Sequence, residues 1–334
     1  MSSPIVVGSS PMTLKPETVR ELTIAGAGAI VLPSMFEEQV VHEKNLRGEQ
    51  SSNQESLVEW MCYDEAEDSY NGGLECYLDT ISSLKKTSGI PIIASLNGCT
   101  GGHWLDIGVD MQRAGADAIE VMLESDIADP SVSADRVEEK LLACVSALCD
   151  QVSIPVAVKI SPFHTTLPNL VWRLAEAGAS GLVCFAHDPL WDVQADHLQT
   201  SLKWSLTPAG SINSTIAGLM RVRMGGPSIS IAASGGISSP EDLSKVMIAG
   251  ADIAMVTSEV YRSGPDAIAH LLEGLCSFLE HHHFSSFAEF TSARATPDPR
   301  LRRSRIKSLT RRKTYADPTP KTPDQSGDRW GHSL

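Results

Sequence analysis

The sequence predicts a (β/α)8 barrel of the TIM type, and three observations predict it. Four times a helical pattern closes on Ala-Gly-Ala and runs at once into an apolar stretch: 25–27 before 29–32, 114–116 before 118–121, 177–179 before 181–183, and 249–251 before 253–256. A glycine just past a helix takes the left-handed conformation that closes it. Small flanking residues then let the chain dive back to the core, so the cadence marks helix-to-strand returns in a parallel α/β protein. The second observation is a count: short apolar runs bounded by turn residues recur eight times, alternating with helical patterns. The third is that two long connections, 35–73 and 186–228, both follow strand C-termini. Such barrels build their sites on that face, and long loops inside a compact domain tend to be functional.

The strands expected in order are 5–9, 29–32, 91–96, 118–123, 156–160, 181–185, 229–233 and 253–256. Pro91 and Pro155 stand at strand starts, where proline costs no ladder bond. Helical patterns at 16–25, 74–86, 104–113, 134–150, 167–176 and 240–248 fall between them. Pro240 followed by Glu241 and Asp242 is a strong helix start, with proline in the first turn and acids at the positive end of the dipole. An open doubly wound sheet is the alternative, but it needs a topological switch and usually fewer strands.

The chain has 334 residues, 42% of them apolar, enough for one large α/β domain. No apolar run reaches the ~18 residues of a membrane span, and the first residues lack the basic-then-apolar pattern of a signal peptide. The expectation is a cytoplasmic protein without a membrane partner. Seven cysteines without a C-x-x-C pair read as reduced thiols. The net charge of −14 is uneven: 294–313 carries nine Lys/Arg against one Asp, which leaves −22 on the remainder. An acidic body argues against nucleic-acid binding by the barrel. The domain reading is a barrel over 1–290 and a basic, disordered tail over 291–334.

Candidate chemistry gathers at predicted strand ends. Ala233-Ser234-Gly235-Gly236 leaves the seventh strand for a helix, where bare N–H groups can approach an anion. Thr257-Ser258 ends the eighth strand with two hydroxyls, and loops after strands seven and eight commonly bind phosphate in this fold. Lys159, amid the apolar residues of strand five, must be paired or functional, because an unpaired buried charge is expensive. It reads as a structural ion pair with an acid such as Glu120, as a cation for an anionic cofactor or intermediate, or as a Schiff-base former. Ser9, Ser10, Ser34, Ser95 and Asn97 lie at or near strand ends. Glu120 and Glu124 lack a histidine at ligand spacing, so no metal is expected. His281, His282 and His283 read as a solvated helix end.

These residues resemble the dihydroorotate dehydrogenase family, in particular its cytosolic class 1-type members, from about residue 3 to 290. The likeness is carried by Ala232-Ala233-Ser234-Gly235-Gly236-Ile237 through Ala249-Gly250-Ala251-Asp252 to Val256-Thr257-Ser258 and Arg262-Ser263-Gly264-Pro265. Val156-Ala157-Val158-Lys159-Ile160-Ser161-Pro162-Phe163 resembles the family's lysine strand, and Pro4-Ile5-Val6-Val7-Gly8-Ser9-Ser10 its first barrel strand. The resemblance implies an FMN-linked barrel that oxidises dihydroorotate to orotate in pyrimidine biosynthesis, and a homodimer. Carried over, Gly235, Gly236, Thr257 and Ser258 hold the FMN phosphate, and Gly8 and Ser9 lie against the ring. Lys159 sits by the ring's pyrimidine edge and stabilises negative charge there. Ser125, in the loop after strand four, takes the substrate proton, and Asn71 of Asn71-Gly72-Gly73 binds substrate.

Three positions differ from the family's substrate pattern. Pro33 stands where members carry a second lysine, and Met122 and Ala186 stand where they carry asparagines. Methionine and alanine cannot make the hydrogen bonds of a buried pyrimidine, so the expectation includes an altered substrate. Two other readings stay open: a lyase or aldolase-like barrel with Lys159 as Schiff-base former, and a barrel that binds flavin or phosphate without turnover.

Overall fold

The computed structural model describes residues 1–37, 39–40, 43, 71–98, 103–123, 130–187, 189–224 and 227–294. Eight parallel strands close into a barrel: β1 (Ile5–Val7), β2 (Ala29–Phe36), β3 (Ile92–Asn97), β4 (Ala118–Met122), β5 (Val156–Ile160), β6 (Gly181–Cys184), β9 (Ser230–Ser234) and β10 (Ile253–Val256). They follow one another round the ring in chain order, and β10 pairs with β1 to shut it. Two further strands among the described residues, β7 (Leu190–Gln194) and β8 (Gln199–Lys203), form a separate antiparallel hairpin. The connection 186–228 is therefore not a bare loop: it carries this hairpin and a helix.

Helices within the described residues are α1 (Pro16–Ile24), α2 (Gly73–Thr87), α3 (His103–Ala114), α4 (Ala134–Gln151), α5 (Leu167–Glu176), α6 (Asn213–Arg223), α7 (Pro240–Ile248), α8 (Ser258–Ser263), α9 (Asp266–His281) and α10 (Phe287–Ala293). Side chains alternate along each strand. One set (Ile5, Val7, Ile30, Ile119, Val121, Val158 and their like) packs outward under the helices. The other set fills the barrel with Val6, Ala29, Val31, Val183, Ala232 and Met255.

The four triplets share one geometry. The glycine has positive φ each time: +100° at Gly26, +106° at Gly115, +100° at Gly178 and +121° at Gly250. The alanine after it donates to the carbonyl five residues back: Ala27 to Leu22, Ala116 to Met111, Ala179 to Leu174, Ala251 to Val246. The next N–H then joins the start of an earlier strand, Gly28 to Ile5, Asp117 to Ile92, Ser180 to Val156 and Asp252 to Ile231, the last of these the second residue of its strand. Each helix end is thus also a strand start.

Strand β2 runs on through Pro33 to Phe36. Its register against β3 shifts between Val31 and Ser34, so three steps on β2 meet two on β3. Proline has no N–H to give the ladder and suits such a bulge. On the β3 side the Tyr77 hydroxyl takes over: it accepts from Ser95 N–H at 3.0 Å and donates to the Ser95 carbonyl at 3.4 Å.

Order continues past residue 290. Phe290 of α10 is buried among Phe278, Phe284 and Phe287, and Arg294 bonds the Ala251 carbonyl at 2.5 Å. Residues 295–334, with most of the basic tail, lie outside the described residues. The thiol reading needs one correction. Cys76, Cys149, Cys184 and Cys276 are free, but Cys144 is disulfide-bonded. Burial pushes the Cys184 thiol up to about 12. Among the described residues no helix is long and apolar enough to cross a membrane.

Candidate active site

Because β9, β10 and β1 are neighbours in the ring, their C-terminal ends meet. Gly235 and Gly236, Thr257 and Ser258, and Gly8 are therefore brought together on one rim of the barrel. Gly8 lies so close to β10 that a Cβ there would stand 2.4 Å from Thr257 Oγ1 and 2.9 Å from Met255 Cγ. Gly235 and Gly236 have φ of +105° and +77°. A Cβ on Gly235 would meet only Thr215 Oγ1, at 3.7 Å, so this backbone is open. Among the described residues, the N–H groups of Gly235, Gly236, Thr257 and Ser258 have no hydrogen-bond acceptor. Four unpaired donors at adjoining strand ends, two of them at the start of α8, make an anion cradle.

One wall of the cradle was missing from the sequence reading. Thr207 N–H donates to Ser258 Oγ at 3.1 Å, Gly210 N–H donates to the Gly236 carbonyl at 3.0 Å, and the Arg262 guanidinium donates to the Thr207 carbonyl. The segment 207–211 therefore straps across the two loops. Its turn residues Pro208, Ala209, Gly210 and Ser211 were the available signal, but nothing in the sequence says which strand ends a turn will reach.

Lys159 and Glu120 both face the barrel interior and are ion-paired through Nζ and Oε1. The structural-pair reading of Lys159 is thus present in the fold. The lysine side chain is 14% exposed and the glutamate 1%. The second carboxylate oxygen, Glu120 Oε2, is buried without a partner. Met122 and Val183 flank Lys159 across β4 and β6, and Ser95 and Ala157 flank Glu120. The bulge in β2 turns Ser34 inward, where its hydroxyl meets that of Ser95 at 2.8 Å.

Asn71 is buried and its amide is engaged: the oxygen accepts from Gln39 Nε2 at 2.7 Å and Gly73 N–H at 3.2 Å, and the nitrogen donates to the Ser34 carbonyl at 3.1 Å. It shapes the end of β2 from behind. Ser10 Oγ is buried without a partner, just past the β1 end, and Ser9 is half-buried beside it. Ser125 and Glu124 lie outside the described residues. Among the described residues no group of His, Cys, Asp or Glu could hold a metal. His281, His282 and His283 sit exposed at the end of α9.

The open Gly235 backbone, the four free N–H donors and the partly exposed Lys159 fit the phosphate and the electron-accepting ring of an FMN. The Ser258 hydroxyl, although it accepts from Thr207, keeps its own proton to donate.

No family model matches the chain. It is 25% identical over 217 residues to a protein of Aeropyrum pernix with the provisional name dihydroorotate dehydrogenase A (fumarate), covering 63% of this chain and 69% of that one. It is 23% identical over 291 residues to the catalytic subunit of dihydroorotate dehydrogenase B (NAD(+)) of Pyrococcus furiosus, covering 86% and 93%. The fold superposes on a crystal structure of a dihydroorotate dehydrogenase from Eimeria tenella in complex with ferulenol, with a TM-score of 0.60, 14% identity and coverage of 84% and 82%.

Proposed function

We propose that this chain, a dihydroorotate dehydrogenase-like oxidoreductase barrel in sequence and fold, uses FMN to oxidise dihydroorotate or a close cyclic relative. The observation that carries the reading is the set of free N–H donors of Gly235, Gly236, Thr257 and Ser258 at the ends of adjoining strands. These residues hold the phosphate, with the Ser258 hydroxyl as a further donor. Gly8, which admits no side chain, and Ser9 leave a flat wall for the ring. Lys159 offers an N–H to its pyrimidine edge. When bound, FMN supplies the acceptor for two electrons from the substrate.

Ser125 is proposed as the group that takes the substrate proton. Asn71 acts on substrate through the β2 end it braces. Met122, opposite Asn97 and Lys159 in register, puts a thioether where the family has an amide. This favours a substrate with a less polar edge than dihydroorotate, and leaves the role in pyrimidine biosynthesis as the family's suggestion. The Schiff-base reading loses support, because an amine held by Glu120 is not free to attack a carbonyl.

The test is an absorption spectrum of the purified protein, followed by anaerobic addition of dihydroorotate and of related saturated rings. The expected result is a flavin spectrum that bleaches with at least one of them, and more slowly in Ser125→Ala. A yellow protein that no ring bleaches would make this a flavin-binding barrel without turnover.

A further inference from the structure

Lys159 does not face the mouth of the barrel as a lone charge. In register, Ala157 lies opposite Glu120 and Lys159 opposite Met122. The lysine therefore folds back one layer, toward the strand starts, to reach the carboxylate. Only the lysine has appreciable exposure, at 14% against 1%. Glu120 has no second cation among its bonds in the described residues, and Oε2 is left without a partner. The hydroxyl of Ser95, opposite Glu120 on the other side, meets that of Ser34 at 2.8 Å and makes no bond to Oε2. The interior residues packed together here are apolar, among them Val6, Val31, Val183 and Met255. A carboxylate buried in such surroundings needs a cation beside it, and the cation's charge is in turn offset by the pairing.

We propose that Glu120 is the positioning residue of this site, which anchors the Lys159 ammonium and offsets its charge, so that a bound flavin meets a compensated pair. This rests on the FMN reading above and deepens it. The ring's pyrimidine edge receives a hydrogen bond from Lys159 with little net positive field behind it.

Sulfite titration measures that field without substrate or turnover. Sulfite gives its lone pair to flavin N5, the electrons of the C4a–N5 double bond move to the pyrimidine end, and the ring becomes anionic with no proton released. An uncompensated cation nearby tightens sulfite binding, and a compensated pair does so far less. The expected result is that Glu120→Gln binds sulfite roughly tenfold more tightly than wild type, since one opposite charge nearby shifts such equilibria by about that much. The double variant Glu120→Gln/Lys159→Met should return to within about threefold of wild type.

A role confined to folding would lower stability in Glu120→Gln and leave sulfite affinity where it was, which overturns the proposal. So does a double variant that binds sulfite more than tenfold more weakly, because Lys159 would then have been acting as a lone cation. Should Glu120→Gln not fold, the double variant decides alone, since it leaves no single buried ion. A wild-type protein that takes up no FMN overturns both the cofactor reading and this proposal. Its lack of colour tells that outcome from the others.

Discussion

Asp117 and Asp252 each follow an Ala-Gly-Ala triplet, and each side chain reaches back to an N–H at the start of an earlier strand. Asp117 Oδ2 accepts from Ile92 N–H at 2.9 Å, and Asp252 Oδ2 from Ile231 N–H at 2.9 Å. Their cationic partners differ. Asp117 has Lys85, whose side chain is 44% exposed. Asp252 holds two half-buried guanidiniums, Arg223 at 2.5 Å and Arg294. Exposed pairs contribute at most about 1 kcal/mol, whereas hydrogen bonds to charged groups shielded from water contribute about 1.5–3 kcal/mol. Asp252→Ala should therefore cost about 2–3 kcal/mol and Asp117→Ala about 1 kcal/mol. Thermal unfolding of the two variants checks the order, and equal losses would show that the second arginine adds nothing.

At the scale of elements, the sequence announced what depends on local chemistry and hid what depends on neighbours. The four returns were legible because a helix stop followed by an apolar run is a local signal. So was the start of α7, where Ser239 and Asp242 form a reciprocal capping box behind Pro240. The bulge in β2 was not legible, because it is a relation between two strands, and Pro33 looked like a strand end. The hairpin was missed for lack of a glycine turn: the bend at 195–198 uses Leu198 with φ +51°. Its Trp191 and Leu202 stand opposite each other and are 76% and 53% exposed, a surface that read as loop. The same distinction separates the triplets. Alanine at either glycine must adopt positive φ, which costs about 1 kcal/mol. At Gly115 its Cβ would stand 3.4 Å from Lys85 Cγ, whereas at Gly250 it would stand 2.6 Å from Arg223 Cγ. Arg223 is fixed by Gly250, Ile229 and Asp252, so it cannot give way as a surface lysine can. Gly250→Ala should lose about 2–3 kcal/mol in denaturant unfolding and Gly115→Ala about 1 kcal/mol.

At the scale of the whole molecule, closure of the barrel makes the site. Gly8 and Gly235 are more than two hundred positions apart in sequence, and only the pairing of β10 with both β1 and β9 brings their loops to one rim. That is why the glycines and hydroxyls could be picked out in the sequence while the strap 207–211 could not. On the FMN reading proposed above, donors that are backbone N–H groups place the affinity in the phosphate more than in the ring. A ligand that binds only the folded state stabilises it by about 2.7 kcal/mol at a hundredfold excess over its Kd. FMN should accordingly raise the melting temperature of the apo-protein by several degrees, while riboflavin, which has the same ring and no phosphate, should raise it far less at the same concentration. Inorganic phosphate at high concentration should compete with FMN and lower its shift. Equal shifts from FMN and riboflavin would move the anchor from the β9 and β10 loops to the ring contacts at Gly8, Ser9 and Lys159, and would leave the four free donors without the anion they are arranged to meet.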